Sequence, residues 1–236
     1  MRKRFLLLPM VAALTGIALP VPASALVGGT RVTEPQPFMV SLQSSSGSHT
    51  CAGALIKANW VVTAKHCGTP AQVRIGSLSR TSGGTVARVS RTIWHPSADL
   101  ELLQLATTVT HTPIPIAAES GPVDTPVAMM GWGRTCSTVP CDQPVQLQQL
   151  SSTIVDDSRC SGGLRLSSEI CVDNKNNTGP CAGDSGNPLT KNVAGAQQLI
   201  GVFSRSGGSN PVCGADPSRH VDLPDDRTWI IQNTGG

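Results

Sequence analysis

The sequence predicts an all-β protein made of two units of similar size. Short runs of β-branched and other apolar residues recur along the chain, and Gly, Pro, Ser and Asn separate them. Many short strands with turn residues between them are typical of β-sandwiches and β-barrels. The segment 112–122 holds three prolines in eleven residues and divides the chain beyond residue 25 nearly in half. Because proline resists both helix and central strand, we expect a linker there.

Ten runs are predicted to form strands, and one late segment is predicted to form a helix. The strands are residues 38–42, 52–56, 60–63, 73–75, 86–94, 100–105, 127–132, 147–155, 170–172 and 199–204. The helix is expected over about 225–232, since Pro224 precedes it and two acids lie in its first turn. The linker then defines an N-terminal β half, residues 26–117, and a C-terminal half with the helix, residues 118–236.

Residues 1–25 have the pattern of a signal peptide. Three basic residues at positions 2–4 precede an apolar run over 5–19, and Ala-Ser-Ala at 23–25 offers a cleavage site. A membrane anchor is disfavoured, because Pro9 interrupts the run and a span needs about 20 apolar residues. We therefore expect cleavage after Ala25 and a secreted, extracellular protein without membrane association. The remaining chain has 15 basic and 15 acidic residues, and this balance gives no support to nucleic-acid binding.

The eight cysteines are interpreted through the predicted export. An even number of cysteines in an oxidising compartment indicates disulfides, although eight of them allow 105 pairings. A zinc site is disfavoured, since no Cys-x-x-Cys occurs and no histidine lies near Cys136 and Cys141. We expect neither a metal nor a cofactor.

A Gly-Asp-Ser-Gly segment at residues 183–186 is the first motif with chemical potential. Glycines beside a serine let the backbone turn tightly, although such a segment alone is more often a plain turn. A serine hydroxyl is a poor nucleophile, so it needs a base and an acid that orients the base. His66 is the candidate base, because it follows a predicted strand and precedes Cys67. Asp99 is the candidate acid, since it begins an apolar run where a buried carboxylate would need a partner.

Five segments together carry a resemblance to a family. They are 26–29 (Leu-Val-Gly-Gly), 62–67 (Val-Thr-Ala-Lys-His-Cys), 99–103 (Asp-Leu-Glu-Leu-Leu), 131–133 (Gly-Trp-Gly) and 181–189 (Cys-Ala-Gly-Asp-Ser-Gly-Asn-Pro-Leu). In this order they resemble the trypsin/chymotrypsin-like serine endopeptidases, especially their secreted bacterial members. The resemblance implies two six-stranded antiparallel β-barrels and a short C-terminal helix, which together form one peptidase domain.

The resemblance also implies a role for each matched residue. Ser185 would be the nucleophile, His66 the general base and then acid, and Asp99 the group that fixes the His66 tautomer. The backbone N–H groups of Gly183 and Ser185 would form the oxyanion hole. Ser204 would support Asp99 and pair with the substrate backbone.

Asp184 matches the family residue that binds the N-terminal ammonium of the mature enzyme. An α-amine can neutralise a buried carboxylate only when the amine is free. The predicted cleavage site ends directly before Leu26, so removal of the signal peptide alone would expose this terminus. We therefore expect activity to appear on export without a separate propeptide.

The resemblance further implies disulfide partners. Cys51 would pair with Cys67 to tie the histidine loop to its strand, Cys160 with Cys171 to close a surface loop, and Cys181 with Cys213 to brace the specificity pocket. Cys136 and Cys141 then remain for one another.

The sequence departs from the family at the motif and at the pocket. Asn187 replaces a glycine, which disfavours the site if the backbone needs a positive φ there, although Asn tolerates that conformation best. Gly179 occupies the expected pocket base, where trypsin-type enzymes carry an aspartate. Arg205 and Ser206 alter the wall, so we expect a preference for small-to-medium apolar residues, with Arg205 attracting acidic groups. Asp216 is either a solvated loop acid or a second pocket acid that restores a basic preference.

Three functions are compatible with these motifs. The first is a secreted endopeptidase that cleaves polypeptides through an acyl-enzyme. The second is a catalytically inactive relative that serves as a binding module, and the third is an esterase with the same serine mechanism. Expected partners are polypeptide substrates and protein protease inhibitors, and the chain is expected to be a monomer.

Overall fold

The structure is a computed structural model that describes residues 26–138, 141–161 and 168–235. The predicted signal peptide lies outside the described residues. Fourteen strands and one α-helix, α1 (Arg227–Thr234), are found in the described part. The strands are β1 (Thr30–Arg31), β2 (Met39–Gln43), β3 (His49–Lys57), β4 (Trp60–Thr63), β5 (Gln72–Ile75), β6 (Thr85–Ala87), β7 (Val89–Trp94), β8 (Glu101–Leu105), β9 (Pro126–Gly131), β10 (Gln148–Thr153), β11 (Glu169–Val172), β12 (Pro188–Val193), β13 (Ala196–Ser206) and β14 (Ser218–Asp222).

The first sheet is antiparallel and has the order β6-β5-β2-β3-β4-β8-β7. Its two edge strands, β6 and β7, follow each other in the chain with Arg88 alone between them. They are the two parts of the single strand predicted over 86–94, which bends at Arg88 and closes the sheet. The result is a barrel of six strands.

The second sheet has the order β1-β10-β9-β12-β13-β14-β11 and is also antiparallel. Apart from the two-residue β1 it contains six strands. A bridge between Ile154 and Val172 joins the end of β10 to β11 and closes the barrel. The predicted double β-barrel is therefore confirmed.

The two ends of the described chain cross to the opposite barrel. β1 lies within the predicted N-terminal half but pairs with β10 of the second barrel, and Leu26 belongs to that barrel's buried cluster. At the other end, α1 packs on the first barrel. The ring centroids of Trp229 and His95 lie 4.7 Å apart, and Lys57 Nζ donates to the Gly235 carbonyl. The barrels are thus fastened to each other by both ends of the chain.

His95 links α1 to the segment that precedes β8. Its Nδ1 accepts the backbone N–H groups of Ser97 at 3.2 Å and Ala98 at 2.8 Å, and its Nε2 lies 3.4 Å from a carboxylate oxygen of Asp226. Because this carboxylate faces His95, it makes no capping hydrogen bond to α1. The helix begins two residues later than the predicted 225–232 segment.

Three strands were missed by the sequence patterns. β1 is too short to give a pattern, β12 begins with a proline and carries Lys191 and Asn192, and β14 contains Ser218, Arg219 and His220, which are buried although polar. Within the described ranges, no helix combines the length and the apolarity needed to cross a membrane.

Leu103 provides a test of the first barrel's core. It is fully buried in β8, so Leu103→Ala should lower the free energy of unfolding by about 2–5 kcal/mol through lost burial and a cavity. Val123→Ala is the matched control, because Val123 is 49% exposed and its loss should change stability by less than about 0.5 kcal/mol. Urea denaturation of both variants in an inactive Ser185→Ala background measures the difference, and equal midpoints would contradict the assignment of Leu103 to the core.

Candidate active site

His66 is positioned by a 3₁₀ turn, Lys65–Cys67, that follows β4. The Cys51–Cys67 disulfide ties this turn to β3, and Lys65 Nζ donates to the His95 carbonyl at 3.0 Å. The turn leaves the imidazole at the protein surface, with 45% of the side chain exposed. A substrate can therefore reach the imidazole ring, and the disulfide holds the backbone of His66 in place.

Asp99 lies two residues before the start of β8, and its carboxylate accepts three hydrogen bonds. Oδ1 accepts the backbone N–H of His66 at 2.9 Å, and Oδ2 accepts from His66 Nδ1 at 2.8 Å and from the Ser204 hydroxyl at 2.5 Å. Burial alone would raise the pKa of Asp99, but the hydrogen bonds from His66 and Ser204 outweigh burial and keep this pKa below its ordinary value. Since the ionised carboxylate only accepts, His66 carries its proton on Nδ1 and leaves Nε2 as an acceptor.

The turn at residues 183–186 presents the Ser185 hydroxyl to that acceptor. Ser185 Oγ lies 2.7 Å from His66 Nε2. Gly186 has φ +75°, and a β-carbon there would lie 2.4 Å from the carbonyl oxygen of Ala52, so the tight turn requires glycine. The Ser185 carbonyl accepts the Ala52 N–H at 2.8 Å, which fixes the turn against β3 of the other barrel.

His49 is a site residue that the sequence patterns did not single out. Its buried ring connects Ser41 Oγ, 2.8 Å from Nδ1, to the Gly183 carbonyl, 2.9 Å from Nε2. Because a carbonyl only accepts, Nε2 carries the proton and the Ser41 hydroxyl donates to Nδ1. Burial lowers the pKa of His49 to about 4, so the ring is neutral at neutral pH. His49 thereby holds the backbone of Gly183, which has φ +98°.

Asp184 is fully buried behind the serine turn. Its Oδ1 accepts the Gly133 N–H at 2.8 Å and its Oδ2 accepts the Cys181 N–H at 3.0 Å. Burial raises the pKa of Asp184 to about 7, because these two hydrogen bonds compensate only part of the lost hydration. Ionisation of this carboxylate is therefore costly until a cation reaches it.

Leu26 lies at the start of the described chain and is fully buried. The next residue, Val27, exchanges two backbone hydrogen bonds with Gly179, at 2.9 and 3.0 Å. These bonds hold the beginning of the described chain beside the segment that leads to Asp184.

Asn187 avoids the strain that the sequence suggested. Positive φ values in this turn belong to Gly183 and Gly186, whereas Asn187 has none. Its backbone N–H donates to the Asp184 carbonyl at 2.9 Å and its carbonyl accepts the Phe203 N–H at 2.9 Å. The replacement of the family's glycine is thus compatible with the backbone of this turn.

A pocket of about 230 Å³ lies beside Ser185. Its walls come from residues 180–182, 203–206 and 210–214, and Asn174, Asp216 and Ser218 complete the lining. Of the specificity residues expected from the sequence, Ser204, Arg205 and Ser206 line the pocket, whereas Gly179 does not. Gly179 was expected at the base of the pocket, but Asn174 lines the pocket instead.

The side chain of Asn174 lies over Gly179, the residue that was predicted to form the pocket base. A β-carbon at Gly179 would lie 2.5 Å from Asn174 Nδ2. This amide donates to the Asp216 carbonyl at 2.5 Å and accepts from the Ser218 hydroxyl at 3.3 Å. The pocket therefore has an uncharged amide at this point. No motif marks Asn174, which lies in a loop five residues before Gly179, so no sequence pattern predicts its role.

Two charged residues at the pocket are held by other groups. Asp216 lines the pocket, and one of its carboxylate oxygens accepts the backbone N–H of Asn210 at 2.8 Å. The Arg205 guanidinium donates to both carboxylate oxygens of Glu169, at 2.6 and 3.0 Å, and to Ser204 Oγ at 3.1 Å. This ion pair compensates the charge that was expected to attract acidic groups.

Four disulfides are present. They join Cys51 to Cys67, Cys136 to Cys141, Cys160 to Cys171 and Cys181 to Cys213. These are the pairs that the resemblance implied. Cys181 and Cys213 both line the pocket, so their bridge connects two of its walls.

Comparisons with known proteins agree with this geometry. The family model for trypsin matches residues 26–221. Trypsin of Sarcophaga bullata is 31% identical over 227 residues, which are 87% of each chain. Trypsin theta of Drosophila melanogaster is 32% identical over 231 residues, 87% of this chain and 85% of that protein.

The fold has a counterpart of the same family among solved structures. Neuropsin, a serine protease expressed in the limbic system of mouse brain, matches with a TM-score of 0.78 and 25% identity, over 88% of this chain and 99% of that chain. These relatives come from insects and a mouse, so the narrower resemblance to bacterial members is not supported. The family match and the identities over most of the chain show that this protein belongs to the trypsin family of serine endopeptidases.

Proposed function

We propose that the protein is a secreted endopeptidase that hydrolyses peptide bonds through an acyl-enzyme, with Ser185, His66 and Asp99 as its catalytic triad. The observation that carries the proposal is the unbroken line of hydrogen bonds from Asp99 Oδ2 through His66 to Ser185 Oγ, at 2.8 and 2.7 Å. Both distances lie within the range that proton transfer requires.

The arrangement supports the following chemistry. Ser185 Oγ attacks the substrate carbonyl carbon while its proton passes to His66 Nε2, and Asp99 stabilises the imidazolium that forms. The N–H groups of Gly183 and Ser185 bind the oxyanion, and His49 supports this hole by holding the Gly183 carbonyl. His66 then protonates the leaving amine, and a water activated by the same ring releases the acyl group.

Activation is assigned to the chain terminus. Cleavage after Ala25 would free the Leu26 ammonium, which would pair with the buried Asp184 and stabilise the serine turn next to it. The burial of both residues, and the Val27–Gly179 hydrogen bonds that hold this part of the chain in place, support the assignment. Because the same cut removes the signal peptide, export and activation would be one event.

The substrates are proposed to be polypeptides with a small-to-medium uncharged residue on the acyl side of the cleaved bond. The pocket size, the Asn174 amide and the compensated Arg205 support this preference. We further propose that the enzyme acts outside the cell as a monomer, with protein protease inhibitors as partners. The inactive binding module loses support because the serine and imidazole are in hydrogen-bond contact, and the esterase differs only in its failure to cleave peptides.

The triad predicts which cuts depend on Ser185. Secreted protein incubated with a mixed peptide library should cleave after residues such as Ala, Val or Leu, and Ser185→Ala should abolish these cuts because the nucleophile is lost. Mass spectrometry reads the cleavage sites. Cuts that persist in folded Ser185→Ala protein would contradict the triad, and hydrolysis of esters without any peptide cleavage would identify an esterase.

Asp99→Asn tests the orientation of the ring. The Asn amide can donate to His66 Nδ1 and thereby favour the wrong tautomer, so kcat/KM should fall about 10⁴-fold, a magnitude borrowed from trypsin itself. Progress curves with a peptide found in the library measure the loss. Asn174→Ala is the control that leaves this carboxylate intact, and its effect should fall on the choice of substrate. A loss below tenfold in Asp99→Asn would argue against the assigned role.

Asp184 makes stability depend on pH when the terminus is blocked. In a Ser185→Ala chain with extra residues before Leu26, the raised pKa of Asp184 means that the folded state holds a proton which the unfolded state releases near pH 4. Stability should therefore fall as pH rises from about 4 to 7, by an amount on the order of 4 kcal/mol. Denaturation midpoints across this range measure the fall. Asp184→Asn should remove it, and the same slope in that variant would refute the prediction.

A further inference from the structure

Asn187 has a fully buried side chain that nothing in the described structure satisfies. Its exposed fraction is 0%, yet both Nδ2 and Oδ1 lack a hydrogen-bond partner among the described residues. The backbone of the same residue is fully engaged by Asp184 and Phe203. An unpaired buried amide lowers the stability of the folded state by an amount on the order of 1–3 kcal/mol. Because the backbone holds Asn187 in this position, the buried amide indicates a partner that the uncut chain does not supply.

The amide borders the same small space as the Asp184 carboxylate. Leu189 pairs with Met129, and continuation of this antiparallel register brings Asn187 opposite Gly131. A β-carbon on Gly131 would lie 2.1 Å from Asp184 Oδ1 and 3.4 Å from Asn187 Nδ2. The Asp184 carboxylate therefore occupies the position that a side chain at Gly131 would need, and the Asn187 amide borders the same glycine.

Leu26 is fully buried on the side of the second barrel that carries these strands. It belongs to the same buried cluster as Met129 and Leu189, the strand pair next to Gly131 and Asn187. The proposed cut before Leu26 would create an ammonium group there, with protons to donate and a positive charge. A primary amide offers one acceptor and one donor, which complement an ammonium and a carboxylate respectively.

The charges around this space are few. Asp184 is the buried carboxylate that borders it, and its hydrogen-bonding neighbours are the backbone N–H groups of Gly133 and Cys181. His49, which packs on Trp132, is neutral near pH 7 because burial lowers its pKa. The polar side-chain atoms nearest Gly131 are therefore those of the Asp184 carboxylate and the Asn187 amide, whereas Arg80 and Arg134 line a cavity beside His49 and Gly183.

We infer that Asn187 is a positioning residue for the activated terminus, whose Oδ1 accepts a hydrogen bond from the Leu26 ammonium while its Nδ2 donates to Asp184. This inference rests on the proposed activation and adds a third member to it. The amide lies where the family's motif has glycine, so this chain would hold its terminus by more than the ion pair. Asn187 touches neither substrate nor reacting atoms and acts through the serine turn.

The consequence is a shift in the pH at which activity is lost. A hydrogen bond to the charged amine favours its protonated form and raises its pKa above the ordinary value of about 8. Deprotonation would leave Asp184 without its cation and release the turn. The alkaline limb of kcat/KM should therefore lie at higher pH with Asn187 than without it, and the stability supplied by the ammonium should be lost as pH rises through the same pKa.

Two substitutions test this inference. Asn187→Leu keeps the size but removes both polar atoms, and Asn187→Gly restores the family's residue. In enzyme that begins at Leu26, the alkaline limb of kcat/KM should move down by about one pH unit in both variants, as expected for one charge-assisted hydrogen bond. Denaturation midpoints between pH 7 and 10, in a Ser185→Ala background, should shift in the same direction. A purely structural Asn would change kcat or the midpoint at all pH values alike and leave the limb in place, which would overturn the inference.

A control separates this outcome from a failure of the activation itself. Wild-type enzyme extended by residues before Leu26, or acetylated on the Leu26 amine, should lose activity if the ammonium activates it. Full activity in the extended enzyme would refute the proposed activation together with the inference. Loss of activity there, with an unshifted limb in the Asn187 variants, would refute the role of Asn187 alone.

Discussion

The carboxylate of Asp99 is the group on which the arrangement of the site depends, because it accepts hydrogen bonds from both barrels. It receives two hydrogen bonds from His66 of the first barrel and one from Ser204 of the second. The serine turn is connected to the first barrel separately, by the backbone bond between Ser185 and Ala52. Both connections hold Ser185 and His66 together although the two residues belong to different barrels.

The site is supported by buried polar groups whose pKa values move in opposite directions. Burial raises the pKa of Asp184 to about 7 and lowers that of His49 to about 4, so near neutral pH the ring is uncharged and the carboxylate is half ionised. Asp99, with three hydrogen bonds, stays ionised in a partly exposed place. The local environment of each carboxylate thus decides which form is favoured: hydrogen bonds favour the ionised form of Asp99, and burial favours the protonated form of Asp184.

Much of the fold followed from the sequence because the first barrel is built from apolar runs. β4 was predicted with its observed bounds, and β8 differs by one residue at its start. The second barrel was harder, since β12 and β14 are rich in polar residues whose burial depends on partners far away in the chain. Ser218 Oγ and His220 Nε2, for example, form a hydrogen bond of 3.1 Å inside the barrel. No local pattern signals such a pair.

The site divides in the same way. His66, Asp99 and Ser185 lie in motifs, and the geometry brings these three residues together. His49 and Asn174 lie outside any motif, and their contacts to Gly183 and over Gly179 exist only in the folded chain. Asn187 could be recognised in the sequence as a departure from the family's glycine. Whether the replacement strains the turn depends on the backbone φ at this position, which the sequence alone does not determine.

The position of α1 connects this helix to the segment that carries Asp99. Trp229 and Asp226 hold His95, and His95 holds the segment that ends at Asp99. Loosening of α1 would therefore be transmitted through one imidazole ring to the carboxylate beside His66. The geometry of the site is thus coupled to how firmly a helix outside it is packed on the first barrel.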